Sequence, residues 1–454
     1  MTFDRFMASL LFVGVALLAC LMPAHSDTWW HLRAGQEMLT SGRVLMTDTF
    51  SHTVYGAHWP NYEWLGEVVF ALVHRIGGMP LLTGLCAAAV TGGLLFIFGA
   101  MAGSGLTPML LMTGVVAGAT ITWSVRPQAF SLFFLGSVAW LICRRRWGWL
   151  PPVFLVWANV HGAVAWGVVL LAGAFAGFLW HDKRVPRGLV VAAALCGVAT
   201  LLTPLGLHYW PEILASVQRS KTNDIAEWHA PALPPDHPVF WITVVALPLL
   251  AVGRHRRLQT AESRAMVCSA LLLLPLAVLT MRNITPFLML AAPAVNALLA
   301  LAPERERPRQ IERRALNTTL LAVAGGFAVY IVAHAWSTRA PILAWSPIPS
   351  QAAAAISTCG GPLYNRYPDG GPIIFFAPSQ PVLIDSRQDP YSSELFAAQD
   401  LVERTGDYKG FFQRYRINCA ALKTGSVLAA RLKGDGWATK FESGGWTVLE
   451  RPTP

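Results

Sequence analysis

The residues best suited to chemistry stand in Ser26-Asp27-Thr28-Trp29-Trp30-His31, directly after the first apolar run of the chain. Asp27 supplies a carboxylate able to take a proton, and the indoles of Trp29 and Trp30 suit a segment seated among lipid headgroups. A base at such a boundary would meet the reactive end of a lipid-borne substrate. The same stretch closes on a second acidic cluster, Glu63-Trp64-Leu65-Gly66-Glu67. Asp27 also precedes a helix-favouring run over 30–39, where Asp is a preferred N-cap, and capping does not exclude chemistry. Asp27 and His31 are four apart and share a helix face. Two ligands without a third make no metal site, so no cofactor is assigned and a divalent metal stays an open alternative.

Further polar groups interrupt apolar sequence at Arg126-Pro127-Gln128, Asn159-Val160-His161-Gly162, Glu227-Trp228-His229 and Arg282-Asn283. An arginine in a tight turn either snorkels to headgroups or holds a phosphate in bidentate fashion. Asn159 and His161 either clasp two helices or line a cavity, because polar groups at membrane depth are costly otherwise. Near the C-terminus, Asp385-Ser386-Arg387-Gln388-Asp389 follows the strand-like run 381–384. Arg387 there either reaches a substrate or pairs with one of the aspartates. The P-loop, the dinucleotide-binding glycine fingerprint and His-Glu-x-x-His do not occur in the sequence.

Composition indicates what must position these groups. Hydrophobic residues make up 54% of the chain and charged residues only 13%, against roughly 25% charged in soluble domains. Apolar runs near 7–24, 79–101, 107–123, 128–143, 148–162, 163–181, 187–205, 237–253, 265–281, 284–301 and 316–336 predict about eleven transmembrane helices. Basic residues fall in alternate loops: Arg144-Arg145-Arg146; Lys183-Arg184 with Arg187; Arg254, Arg256-Arg257 and Arg264; and the run from Arg305 to Arg314. The positive-inside rule makes all four loops cytoplasmic, together with the N-terminus. The net charge of +10 is therefore a topology signal and not a nucleic-acid footprint. Residues 65–76 are too short to cross and read as an amphipathic helix on the outer face. The first apolar run exceeds the 7–15 residues usual in a signal peptide, which favours a retained span; either way Asp27 lies outside.

The reading is thus a polytopic α-helical membrane protein over 1–336, with a long first outer loop at 25–64. An extracytoplasmic α/β domain follows over 337–454. Strand-like runs at 381–384, 417–422 and 445–449 alternate there with helix-like segments at 392–404 and 425–433. Cys359 and Cys419, the two cysteines outside the apolar runs, either pair in an oxidising compartment or pack as small core residues.

Several of these segments carry a resemblance. Asp27-Thr-Trp-Trp-His-Leu-Arg-Ala-Gly, Thr47-Asp-Thr-Phe-Ser-His-Thr, Tyr62-Glu-Trp-Leu, Arg126-Pro-Gln, Asn159-Val-His-Gly and Ile384-Asp-Ser-Arg-Gln-Asp resemble a bacterial group of GT-C-like membrane proteins. The acid after the first span, the long first loop and the outer C-terminal domain resemble the GT-C superfamily of membrane glycosyltransferases. The resemblance implies residence in the bacterial inner membrane and a polyprenyl-phosphate-linked sugar as donor. It also implies an envelope glycan, lipid or protein as acceptor, with Asp27 as the catalytic carboxylate. Many GT-C enzymes carry a paired acidic motif at this point. Thr28 follows Asp27 here, so the second acid must come from elsewhere, and Glu63 is the candidate. Trp30, His31, Arg126, His161, Glu227, Arg282 and Arg387 are then the candidate substrate-binding residues. The alternatives are a non-enzymatic scaffold of envelope assembly and a lipid-linked sugar transporter. A transporter favours repeated halves and mid-bilayer charges; no such repeat stands in the sequence, and its mid-span charges are few.

Overall fold

A computed structural model describes residues 1–101, 106–299 and 313–452. Each of the eleven expected apolar runs contains a helix. Among the described residues, six helices are long and apolar enough to cross a membrane: Phe3–Cys20, Trp64–Ala100, Gly162–Asp182, Pro238–Arg257, Ala261–Leu279 and Arg314–Ser337. The other five expected spans are shorter helices, at Leu106–Ala119, Gln128–Cys143, Leu150–Val160, Arg187–Thr200 and Ile284–Leu299. Of the expected basic loops, most of the run from Arg305 to Arg314 lies outside the described residues.

Two units emerge from the chain. The first comprises 1–23, 79–209 and 226–343, and the second 24–78, 210–225 and 344–454. The helix Trp64–Ala100 passes from one to the other at Gly77 and Gly78, which leave helical geometry. Gly78 has φ 62°, and Pro80 follows, so 64–76 is separated from the apolar run that begins at 79. Within the first unit, Gly173 and Gly177 recur one turn apart, and a Cβ at either would strike the backbone of Ser269 or Ala265 within 2.5 Å. Small residues at this spacing let two apolar helices meet backbone to backbone.

The second unit holds a four-stranded sheet of order β1-β2-β4-β3, with β1 Leu363–Asn365, β2 Cys419–Lys423, β3 Ala438–Ser443 and β4 Trp446–Glu450. β1 runs parallel to β2, with Leu363 opposite Cys419; β4 is antiparallel to both β2 and β3. Helices Ser393–Thr405 and Val427–Gly434 begin at the side-chain caps Ser392 and Ser426. The expected strand over 381–384 is not a sheet member; it makes one isolated parallel bridge, between Ser51 and Val382. Pro381 lacks a ladder donor. Beside it the Asn365 side chain accepts the Leu383 N–H and donates to the Ile384 carbonyl, so a side chain stands in for a neighbouring strand there. Cys359 and Cys419 are joined as a disulfide, which decides between the two readings of that pair.

Candidate functional site

The helix Ser26–Ser41 is capped by His25, whose Nδ1 accepts the Asp27 N–H at 3.3 Å while Thr28 Oγ1 accepts the His25 N–H at 2.8 Å. The N-cap role expected of Asp27 therefore belongs to His25. Asp27 sits in the first turn, where the helix dipole favours an anion. Its Oδ1 accepts from Ser386 Oγ at 2.5 Å and lies 3.4 Å from the Trp30 indole N–H, while Oδ2 is 3.2 Å from His25 Nδ1. Trp30 and His31 stack with ring centroids 3.5 Å apart.

One residue on, His31 lies between two carboxylates. Its Nδ1 is 3.2 Å from Glu67 Oε1 and its Nε2 is 3.5 Å from Glu63 Oε2. Asn61 donates to the buried Glu67 at 2.7 Å, and its own carbonyl accepts the Glu63 N–H. The expected catalytic Glu63 and the expected substrate ligands Trp30 and His31 are thus tied to the helix that carries Asp27. Among the described residues, no three of His, Cys, Asp and Glu form a group that could hold a metal ion.

Arg387 is enclosed. Its guanidinium has no exposed surface; it donates to Asp385 at 2.6 and 2.8 Å and to Asp48 at 2.5 Å, above the rings of Phe50 and Trp59. The Tyr391 phenol also donates to Asp385, and burial pushes its ionisation well above the usual range, so it remains a donor. Of the two readings of Arg387, this arrangement matches the internal ion pair. A side chain without exposed surface makes no substrate contact in this conformation. Asp389 ends the same loop, buried against Arg219 at 2.9 Å and Tyr62 at 3.3 Å.

In the first unit the remaining candidates form their own cluster. Arg126 donates to Glu227 at 2.7 Å and to Ser124 at 2.8 Å. Arg282 donates to His161 Nε2 at 3.1 Å and lies 5.4 Å from the Trp228 ring, next to Glu227. On the other side of the ring, His161 Nδ1 accepts the Ala163 N–H at 3.1 Å and lies 2.9 Å from Ser131 Oγ. Ser131 in turn accepts from Trp157. Asn159 donates to the Leu202 carbonyl and clasps two helices. Sequence reasoning missed Asp48, Asn61, Tyr391 and Ser386 as site residues, because each earns its place through a partner distant in the chain or across a turn.

Among solved structures, the chain is similar to the oligosaccharyltransferase of Archaeoglobus fulgidus tethered with an acceptor peptide containing the NVT sequon. The TM-score is 0.62 at 12% identity, covering 92% of this chain and 69% of that one. It is similar also to AglB from the same archaeon in complex with an inhibitory peptide and a dolichol-phosphate, with TM-score 0.61, 12% identity, and 98% and 74% covered. It has a GT-C fold. The apo form of the archaeal enzyme gives TM-score 0.60 at 12% identity, with 91% and 69% covered. No family model matches the sequence, and neither does any curated protein.

Proposed function

We propose that the chain is a membrane glycosyltransferase that moves a sugar from a polyprenyl-phosphate donor to an acceptor of the bacterial envelope, on the outer face of the inner membrane. The observation that carries this reading is Asp27, set in a helix's first turn with its Oδ1 hydrogen-bonded by Ser386, in a chain that shares the fold of an archaeal oligosaccharyltransferase. The dolichol-phosphate held by one archaeal structure belongs to the lipid class such a donor would leave behind. In this reading Asp27 takes the proton of an acceptor hydroxyl as its oxygen bonds to the anomeric carbon. The bond from that carbon to phosphate breaks, and polyprenyl phosphate departs with the electron pair. Stabilising that phosphate calls for preorganised cationic donors, an electrostatic effect of about 2.7–4 kcal/mol per donor. Glu63, tied to His31, is the supporting carboxylate.

Single displacement predicts inversion at the anomeric carbon. Asp27→Asn is expected to lower transfer from polyprenyl-phosphate sugars by about 10²–10⁴-fold, the range for loss of a positioned base, with unchanged thermal stability. A variant that keeps most of its activity, or product NMR showing retained configuration, would refute the assignment.

A further inference from the structure

Ser386 lies outside the residues assigned above to the reaction, yet its hydroxyl has only one way to point. The Trp30 indole is a donor only, so at 3.2 Å the Ser386 oxygen must accept from it. The hydroxyl proton is thereby directed to Asp27 Oδ1, 2.5 Å away. The backbone behind it is fixed as well. The Ser386 carbonyl accepts from Tyr367 at 3.2 Å, Asp385 and Arg387 on either side are locked in the buried ion cluster with Asp48, and Asp389 is held by Arg219. Gln388 completes the turn with φ 54°.

We propose that Ser386, delivered by the clamped loop 385–389, is a positioning residue for Asp27: its hydroxyl donates to Oδ1 and holds the carboxylate in place. The role ascribed to Asp27 rests on the proposed reaction; the hydrogen bond itself does not. A hydroxyl donating to a carboxylate favours the charged form. Removing it must therefore make Asp27 easier to protonate. The other titratable and charged groups on the elements packed here include His25 beside Oδ2, His31 with Glu63 and Glu67, Arg33 and Glu37 further along the helix, Asp369 engaged by Arg366 and Lys423, and the Asp385–Arg387 pair.

The test reads Asp27 directly in the full-length protein. A water-soluble carbodiimide with glycinamide modifies protonated carboxyl groups, and peptide mass spectrometry across a pH series gives the midpoint for Asp27. Ser386→Ala is expected to raise that midpoint by about one pH unit, a tenfold change in proton affinity, and Ser386→Thr to keep it at the wild-type value. An unchanged midpoint in folded Ser386→Ala, or Thr behaving like Ala, overturns the proposal. Should the Ala variant not fold, Ser386→Cys, nearly isosteric with a weak donor, must also raise the midpoint; a wild-type value there overturns it equally. No turnover enters the measurement. A wild-type protein without transferase activity would refute the proposed reaction and leave this assignment to be judged on the midpoint alone.

Discussion

At the scale of single residues, burial separates the Arg387 ion cluster from Asp27. Asp48, Asp385 and Arg387 are fully enclosed and pair with one another, whereas Asp27 keeps about a sixth of its side-chain surface exposed, 17%. Asp389 adds a pH signature. Burial raises its proton affinity above the ordinary carboxyl value, against the opposing pull of Arg219. The native state then holds this proton more tightly than the unfolded chain, so the contribution to stability falls as pH rises from about 3.9 towards the native midpoint. Asp389→Asn lacks that fall, so its stability relative to wild type should improve between pH 4 and pH 7. Thermal unfolding across that range checks the sign, and a pH-independent difference would remove Asp389 from the account. Asp27, Trp30 and His31 were legible in the sequence because they adjoin a span and one another. Asp48 and Ser386 were not, because their partners Arg387 and Asp27 lie 339 and 359 residues away.

At the scale of elements, the helix Ser26–Ser41 takes its place from the helix Tyr367–Phe376. A Cβ on Gly371 would lie 2.3 Å from the Ser26 carbonyl oxygen, which only a glycine permits. Gly371→Ala should force the two helices apart at a cost of about 1–3 kcal/mol and disturb the Asp27 midpoint. Gly410→Ala, where a new methyl meets nothing within 4 Å, should be neutral or slightly stabilising. Denaturant unfolding of both variants distinguishes a steric contact from a general loss of flexibility; equal effects would discount the contact. Sequence patterning found β2, β4 and the helices capped by Ser392 and Ser426, but neither β3 nor the helix Tyr367–Phe376. It missed β1, whose three residues are too few to show a period, and read a strand at 381–384 where Asn365 supplies the hydrogen bonds.

At the scale of the whole molecule, composition made the membrane helices plain, while the grouping of segments was invisible in it. Residues 24–78 and 210–225 fold with 344–452, although apolar helices separate all three in the chain. The basic loops predict that Arg184→Cys is shielded from a membrane-impermeant maleimide in intact cells and that Glu394→Cys is labelled. Labelling of both from outside would invert the proposed orientation and end the outer-face reading. The bond from Ser386 to Asp27 also sets a schedule for biogenesis. The carboxylate emerges from the ribosome among the first thirty residues, and its hydroxyl partner follows 359 residues later. At about 5–20 residues per second the nascent chain passes roughly 20–70 s without that partner while its helices enter the bilayer. Each new molecule is thus inserted with its proposed reactive centre unassembled, and the centre matures only when the final quarter of the chain has been delivered.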